Sequence, residues 1–139
     1  VVPGRCLFSL DLRAPTDAQR DAMVTDVLDE LAKIAQRRGL RYTIEESMRA
    51  AAAPSAPALQ HHWERAVDAL GVPVFRMPSG AGHDAMKLHA ILPQAMLFVR
   101  GENSGISHNP LESTTNNDMQ LAVDAFTQVL HQLAEESQP

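Results

Sequence analysis

Hydrophobic residues recur along the chain with two different periods, and each period predicts a different element. Residues 6–13 alternate between an apolar and a polar side once Leu7 is set aside, which is the pattern of a half-buried β-strand. The polar side consists of Ser9, Asp11 and Arg13. Residues 17–38 instead repeat apolar side chains every three or four positions, which predicts an amphipathic helix of about six turns. Thr16 or Asp17 would cap its start, and Gly39 would end it.

The remaining pattern predicts an α/β fold in two parts. A second strand over 40–48 would complete a strand, helix, strand unit. Residues 51–57 have the proline and serine content of a connector, so we place a domain boundary there, between residues 1–50 and 58–139. The second part reads as a helix over 58–70 closed by Gly71, a strand over 72–77, a helix over 85–92, a strand over 94–100, a polar loop over 101–117 and a helix over 118–135.

The composition and net charge of the chain indicate which classes of binding partner are disfavoured. The chain of 139 residues is 45% hydrophobic, carries a net charge of −5 and has a pI near 5.6, which disfavours nucleic-acid and anionic-membrane partners. Its longest apolar stretch, 90–99, is interrupted by Pro93 and is far shorter than the roughly 20 residues of a membrane span. The single cysteine, Cys6, excludes an internal disulfide and fits a reducing, cytoplasmic setting, and we expect it to be buried in the first strand.

A glycine-containing segment is the first candidate binding element. It lies between a predicted strand and a predicted helix and consists of Ser79, Gly80, Ala81, Gly82, His83 and Asp84. Small residues there would let a ligand approach the backbone. The alternative is a tight turn with Asp84 as the helix cap. The segment is not a dinucleotide fingerprint, because Ala85 stands where a third glycine is needed.

His108 is the second candidate, in a loop rich in Gly, Ser, Asn and Thr. An imidazole in such a loop suits a metal ligand or an acid/base, with Glu112 as a carboxylate that could orient the ring, although a surface histidine is the alternative. We interpret His61 and His62 as surface residues. His89 and His131 have no partner at metal-ligand spacing, so the sequence does not complete a coordination set by itself.

Arg13 is the third candidate, at the end of the first predicted strand. Its guanidinium could bind a small-molecule carboxylate through two parallel hydrogen bonds. The alternative is a solvated surface charge.

Four motifs occur in the order seen in one enzyme family. They are 1–4 (VVPG), 8–13 (FSLDLR), 79–85 (SGAGHDA) and 104–114 (SGISHNPLEST). In these motifs the chain resembles the N-carbamoyl-L-amino-acid hydrolase, allantoate amidohydrolase and β-ureidopropionase family of dimetal amidohydrolases. The resemblance covers essentially the whole chain and corresponds to the C-terminal third of such an enzyme, so the chain is expected to be a portion of one.

The resemblance implies roles for the two parts and for the candidate residues. Residues 1–50 would be the second half of a lid domain that forms a homodimer, and 58–139 the C-terminal part of the catalytic domain. Arg13 would bind the substrate carboxylate, and His108 would be a metal ligand. The residues lining the substrate pocket would be Gly80, Ala81, Gly82 and His83.

The resemblance also implies the reaction of the complete enzyme. Two divalent ions, of Zn, Mn, Co or Ni, would share a water that attacks the ureido or amide C–N bond of an N-carbamoyl-L-amino acid or of allantoate. The general base and the other metal ligands would lie in an N-terminal half that this sequence does not contain, so the chain alone is expected to be inactive. Two alternatives stay open: a non-catalytic dimerisation module that retains the lid surface, and a small anion-binding protein that uses the glycine loop and Arg13.

Overall fold

A computed structural model of the protein describes residues 3–137. Val1 and Val2, which open the first motif, lie outside the described residues. The described elements are α1 (Asp17–Arg38), α2 (Pro57–Ala69), α3 (Ala85–Leu88), a short 3-10 helix (Asn103–Gly105) and α4 (Asn116–Glu136). Among these residues no helix has the length and apolar character that a membrane crossing requires.

Helix α1 forms as its sequence predicts. The Thr16 hydroxyl accepts a hydrogen bond from the backbone N–H of Gln19 at 3.3 Å, and Gly39 ends the helix in the left-handed region with φ of 63°. The predicted apolar stripe is its less exposed face, and Ala35 on that stripe is buried. The helices over 58–70 and 118–135 are also confirmed, within two residues at each end, as α2 and α4.

The structure does not show the four predicted strands: the described residues contain helices and loops but no β-ladder. A strand exists only where a neighbouring strand satisfies its backbone N–H and C=O groups, and the described chain brings no such neighbour to these segments. Many of their apolar side chains are accordingly exposed, such as Leu7 and Phe75 at 86% and 81%, whereas Leu97 packs against the core. Cys6 is also exposed, contrary to the prediction that it is buried. The helix over 85–92 shortens to the single turn of α3.

Helices α2 and α4 pack against each other around small residues. Ala66 of α2 and Ala125 and Val129 of α4 are buried at their contact. The rings of Trp63 and Phe126 stack beside them, with centroids 5.9 Å apart. Half-buried side chains complete this core: Trp63, Leu70, Leu97 and Leu133.

The prediction that His62 is a surface residue was wrong. His62 lies on the face of α2 that meets α4 and is only 5% exposed. Its Nδ1 lies 2.9 Å from Gln132 Oε1, and its Nε2 lies 3.3 Å from Glu136 Oε2. Both ring nitrogens therefore have polar neighbours on α4, as burial of an imidazole requires.

The chain divides into two compact units. The first unit comprises the residues up to Pro54 together with Pro78–Gly82, and the second comprises Ser55–Met77 and the residues from His83 onward. The first unit therefore holds Arg13 and the glycines of the candidate loop, whereas the second holds His83 and His108. Whether 1–50 and 58–139 correspond to a lid domain and a catalytic domain stays a prediction.

Candidate functional site

Arg13 is held by a carboxylate two residues earlier in the chain. Its Nε donates to Asp11 Oδ1 at 2.9 Å, and its Nη2 donates to Asp11 Oδ2 at 2.5 Å, which is a bidentate pair. The alternation of residues 6–13 places both side chains on the polar side of that segment. The pairing follows from that local pattern, but sequence reasoning singled out Arg13 alone and missed Asp11.

A second contact joins Arg13 to the glycine loop. Nη1 of Arg13 donates to the backbone carbonyl oxygen of Gly80 at 2.7 Å. Within the loop, the hydroxyl of Ser79 donates to the carbonyl oxygen of Ala81 at 3.1 Å. A Cβ atom built on Gly80 would meet no heavy atom within 4 Å, so open space adjoins this backbone. Arg13 and Gly80, two of the predicted binding residues, thus lie together in the first unit.

The guanidinium of Arg13 has more N–H groups than its two described partners use. Its bonds to Asp11 and Gly80 use three N–H groups, and a guanidinium has two more. The side chains of Arg13 and Asp11 are 59% and 67% exposed, so an anion can reach them. The hydrogen bond to Arg13 lowers the pKa of Asp11, and the same bond raises the pKa of Arg13. Both groups are therefore ionised at neutral pH.

His83 belongs to the second unit, at the start of α3. The backbone N–H of Ala85 donates to His83 Nδ1 at 3.1 Å, so the neutral ring carries its proton on Nε2. Asp84 occupies the position of the helix cap, but its side chain makes no capping hydrogen bond. Asp84 therefore stands at the cap position, as the turn interpretation has it, but the His83 ring and not the Asp84 carboxylate accepts from the first free amide. His83 remains exposed with an N–H to offer.

His108 lies at a strained point of its loop. It is exposed and has a positive φ of 55°, a conformation that residues other than glycine seldom adopt. The backbone N–H of His108 donates to Glu112 Oε2 at 2.8 Å. Glu112 thus contacts the backbone of His108, not its imidazole as the sequence suggested. A further bond from Asn103 Nδ2 to the carbonyl oxygen of Leu111, 2.7 Å long, closes the loop.

The described residues do not bring together a metal site around His108. The side chain of His108 is exposed, so a metal ion could reach it. Within residues 3–137, however, no group of three or more His, Cys, Asp or Glu side chains is placed to hold a metal ion. A metal at His108 would need ligands from beyond the described residues.

The second unit also has an open groove of about 330 Å³ beside α4. Its walls are formed by Leu70, Asp124, Thr127, Gln128 and His131. None of the predicted site residues lines it, so the groove adds nothing to the candidate site.

Comparison with known proteins decides the family. Residues 4–132 match the family described as Peptidase family M20/M25/M40. The chain belongs to this family. Among its relatives, the N-carbamoyl-L-amino acid amidohydrolase of Geobacillus stearothermophilus is 35% identical over 135 residues, which are 97% of this chain and 33% of that protein.

Two further relatives of this chain have names that refer to allantoate. The allantoate amidohydrolase of Bacillus subtilis is 34% identical over 96% of this chain and 32% of its own length. The allantoate deiminase of Arabidopsis thaliana is 34% identical over 94% of this chain and 26% of its own length. The predicted resemblance is thereby confirmed. The chain spans about a third or less of the length of these curated relatives.

Proposed function

We propose that this M20 family chain is a portion of a metal-dependent amidohydrolase. The complete enzyme would hydrolyse the ureido or amide C–N bond of N-carbamoyl-L-amino acids or of allantoate. The names of the relatives support these substrate classes. Both are small carboxylates, so the enzyme needs a fixed cation that recognises a carboxylate.

The contact between Arg13 and the glycine loop is the observation that carries the proposal. Arg13 is anchored to Asp11 and to Gly80 and keeps two N–H groups free for a ligand. Open space adjoins the backbone of Gly80 beside it. Arg13 would bind the substrate carboxylate, and the loop of Gly80, Ala81 and Gly82 would form part of the pocket wall. A carboxylate held at a fixed place orients the scissile bond, which is a large part of catalysis.

His108 would supply one ligand to the metal pair. Divalent ions such as Zn, Mn, Co or Ni, when bound, would supply Lewis-acid activation of water and of the scissile carbonyl. Glu112 would hold the backbone of His108 so that the imidazole stays in one place. His83, with its N–H on Nε2, would donate a hydrogen bond to the substrate. The general base and the other ligands would come from parts of the enzyme outside this chain.

For the complete protein we propose an α/β architecture and a homodimer, and the exposed apolar segments of the first unit support the strands of that architecture. Phe8, Leu10, Tyr42 and Ile44 are between 46% and 61% exposed, on segments that alternate in polarity as strands do. We propose that these segments pair with further strands in a lid domain. Residues from 58 onward would belong to the catalytic domain.

Replacing His108 in the full-length gene product tests the proposal. His108→Asn removes the imidazole but keeps a residue that tolerates a positive φ. We expect at least about a hundredfold loss of metal affinity, since even residues around the ligands change affinity by up to that amount. Ammonia release from N-carbamoyl-L-amino acids should fall with it. His89→Asn is the matched control, because His89 is also an exposed histidine of the second unit but has no proposed role.

Two outcomes would contradict the proposal. A His108→Asn protein with unchanged metal content and hydrolysis would remove His108 from the site. A full-length gene product that forms a stable dimer but neither binds metal nor hydrolyses these compounds would instead favour the non-catalytic dimerisation module.

A further inference from the structure

We propose that Asp11 is a positioning residue for substrate recognition: it holds the guanidinium of Arg13 so that the two remaining N–H groups receive the substrate carboxylate. The inference rests on the proposed role of Arg13. It adds a second residue to the determinants of specificity, one that would not itself touch the substrate.

The division of the guanidinium between its partners supports this role. Asp11 occupies Nε and one hydrogen of Nη2, and the Gly80 carbonyl oxygen occupies one hydrogen of Nη1. One N–H on each terminal nitrogen is left. A carboxylate that approaches the terminal nitrogens can accept from both. Asp11 therefore occupies the side of the guanidinium that carries Nε, and the N–H groups left for a ligand are on Nη1 and Nη2.

The orientation is needed because Arg13 is an exposed side chain that the single bond to the Gly80 carbonyl oxygen would hold at only one nitrogen. An arginine side chain has many rotamers, and this one is 59% exposed. Two partners fix the side chain before the substrate arrives, so less conformational entropy is lost when the substrate binds. Asp11 also brings a negative charge, which opposes the binding of a second carboxylate. Both groups are exposed, so the repulsion acts through water and stays small, and the proposal requires the gain from orientation to exceed it.

The structure offers a close control pair in the same unit. Glu46 accepts from Arg49 Nε at 3.1 Å and from its Nη2 at 2.8 Å, and both side chains are about half exposed. This pair also joins an exposed acid to an arginine, but it has no contact with Arg13 or Gly80. Glu46→Gln therefore controls for the general effect of losing an exposed ion pair.

The test measures steady-state kinetics of the full-length gene product carrying Asp11→Asn. With N-carbamoyl-L-alanine we expect KM to rise about fivefold, the most that one exposed ion pair usually supplies, while kcat changes less than about twofold. The amide analogue, N-carbamoyl-L-alaninamide, lacks the carboxylate, so its kinetics should not respond to Asp11→Asn. Asp11→Glu keeps the carboxylate and should restore part of the lost affinity, and Glu46→Gln should leave both substrates unaffected.

Arg13→Lys separates this inference from the proposed function. It keeps the charge but loses the fork, so KM for the carboxylate substrate should rise about tenfold or more. If Arg13→Lys has no effect, or if the gene product hydrolyses neither substrate, the proposed function fails and this inference fails with it. If Arg13→Lys raises KM but Asp11→Asn does not, or if Asp11→Asn changes acid and amide substrates equally, the positioning role alone is overturned.

Discussion

Nη1 of Arg13 lies 2.7 Å from the carbonyl oxygen of Gly80, although the two residues are 67 positions apart in the chain. The hydrogen bond joins two segments that look unrelated in the sequence, an alternating polar segment and a glycine loop. It supports a single binding element in which the arginine provides the charge and the loop provides the open space.

The first expectation concerns the titration of Asp11. Its pKa lies below the ordinary value of 3.8, chiefly because its carboxylate accepts hydrogen bonds from Arg13. A lowered pKa means that the ion pair is fully present above pH 3.8 and is lost as the pH falls through the lower, folded-state value. In a carboxyl-carbon NMR titration, Arg13→Gln should return the midpoint toward 3.8. A midpoint that does not respond to Arg13→Gln would show that the pair does not persist in solution.

The second expectation concerns the space beside Gly80. An added methyl group would meet no heavy atom there, and the backbone of Gly80 is not left-handed, so Gly80→Ala should leave the thermal unfolding midpoint unchanged. The methyl group would occupy space proposed for substrate, so KM for N-carbamoyl-L-amino acids should rise several-fold.

Gly39→Ala provides the contrast. Gly39 has φ of +63° at the end of α1, so alanine there should destabilise the fold by about 1 kcal/mol without a direct effect on KM. A Gly80→Ala protein that unfolds earlier but binds substrate normally would reverse this assignment.

The third expectation concerns Glu112, whose carboxylate accepts from the backbone N–H of His108 at 2.8 Å. Glu112→Ala removes the acceptor that holds a left-handed residue, so the affinity of the full-length gene product for zinc should fall about tenfold. Glu112→Gln keeps an oxygen that can accept this hydrogen bond, so its affinity for zinc should fall much less. Competition with a chromophoric chelator measures both variants, and equal affinities for Glu112→Ala and the unmodified protein would contradict the role.

The fourth expectation concerns the polypeptide 1–139 by itself. Residues 3–137 hold no cluster of three or more metal-binding side chains. The polypeptide should therefore bind zinc weakly in equilibrium dialysis and release no ammonia from N-carbamoyl-L-amino acids. Stoichiometric zinc or measurable hydrolysis would show that the chain carries a complete site.

The helices could be predicted because their signals are local. Each cap or period involves residues within about four positions, such as the hydroxyl of Thr16 and the backbone N–H of Gln19 at the start of α1. The strands could not be predicted in the same way. Alternation at residues 6–13 and the strand-favouring Tyr42, Thr43 and Ile44 are local signals, whereas a strand also requires a partner that the described chain does not provide. The burial of His62 likewise depends on α4, which lies far along the sequence.

By itself, the sequence determined the three long helices, their ends, and the placement of Asp11 beside Arg13 on one side of an alternating segment. It also carried the motifs that identify the family. Only the tertiary structure decided that Arg13 reaches Gly80 and that Glu112 holds the backbone of His108 and not its ring. The reason is physical. Arg13 and Gly80 are 67 positions apart, and the contact of His108 with Glu112, although local, depends on the left-handed backbone of His108 in an irregular loop, whereas helical periods and caps repeat one regular geometry.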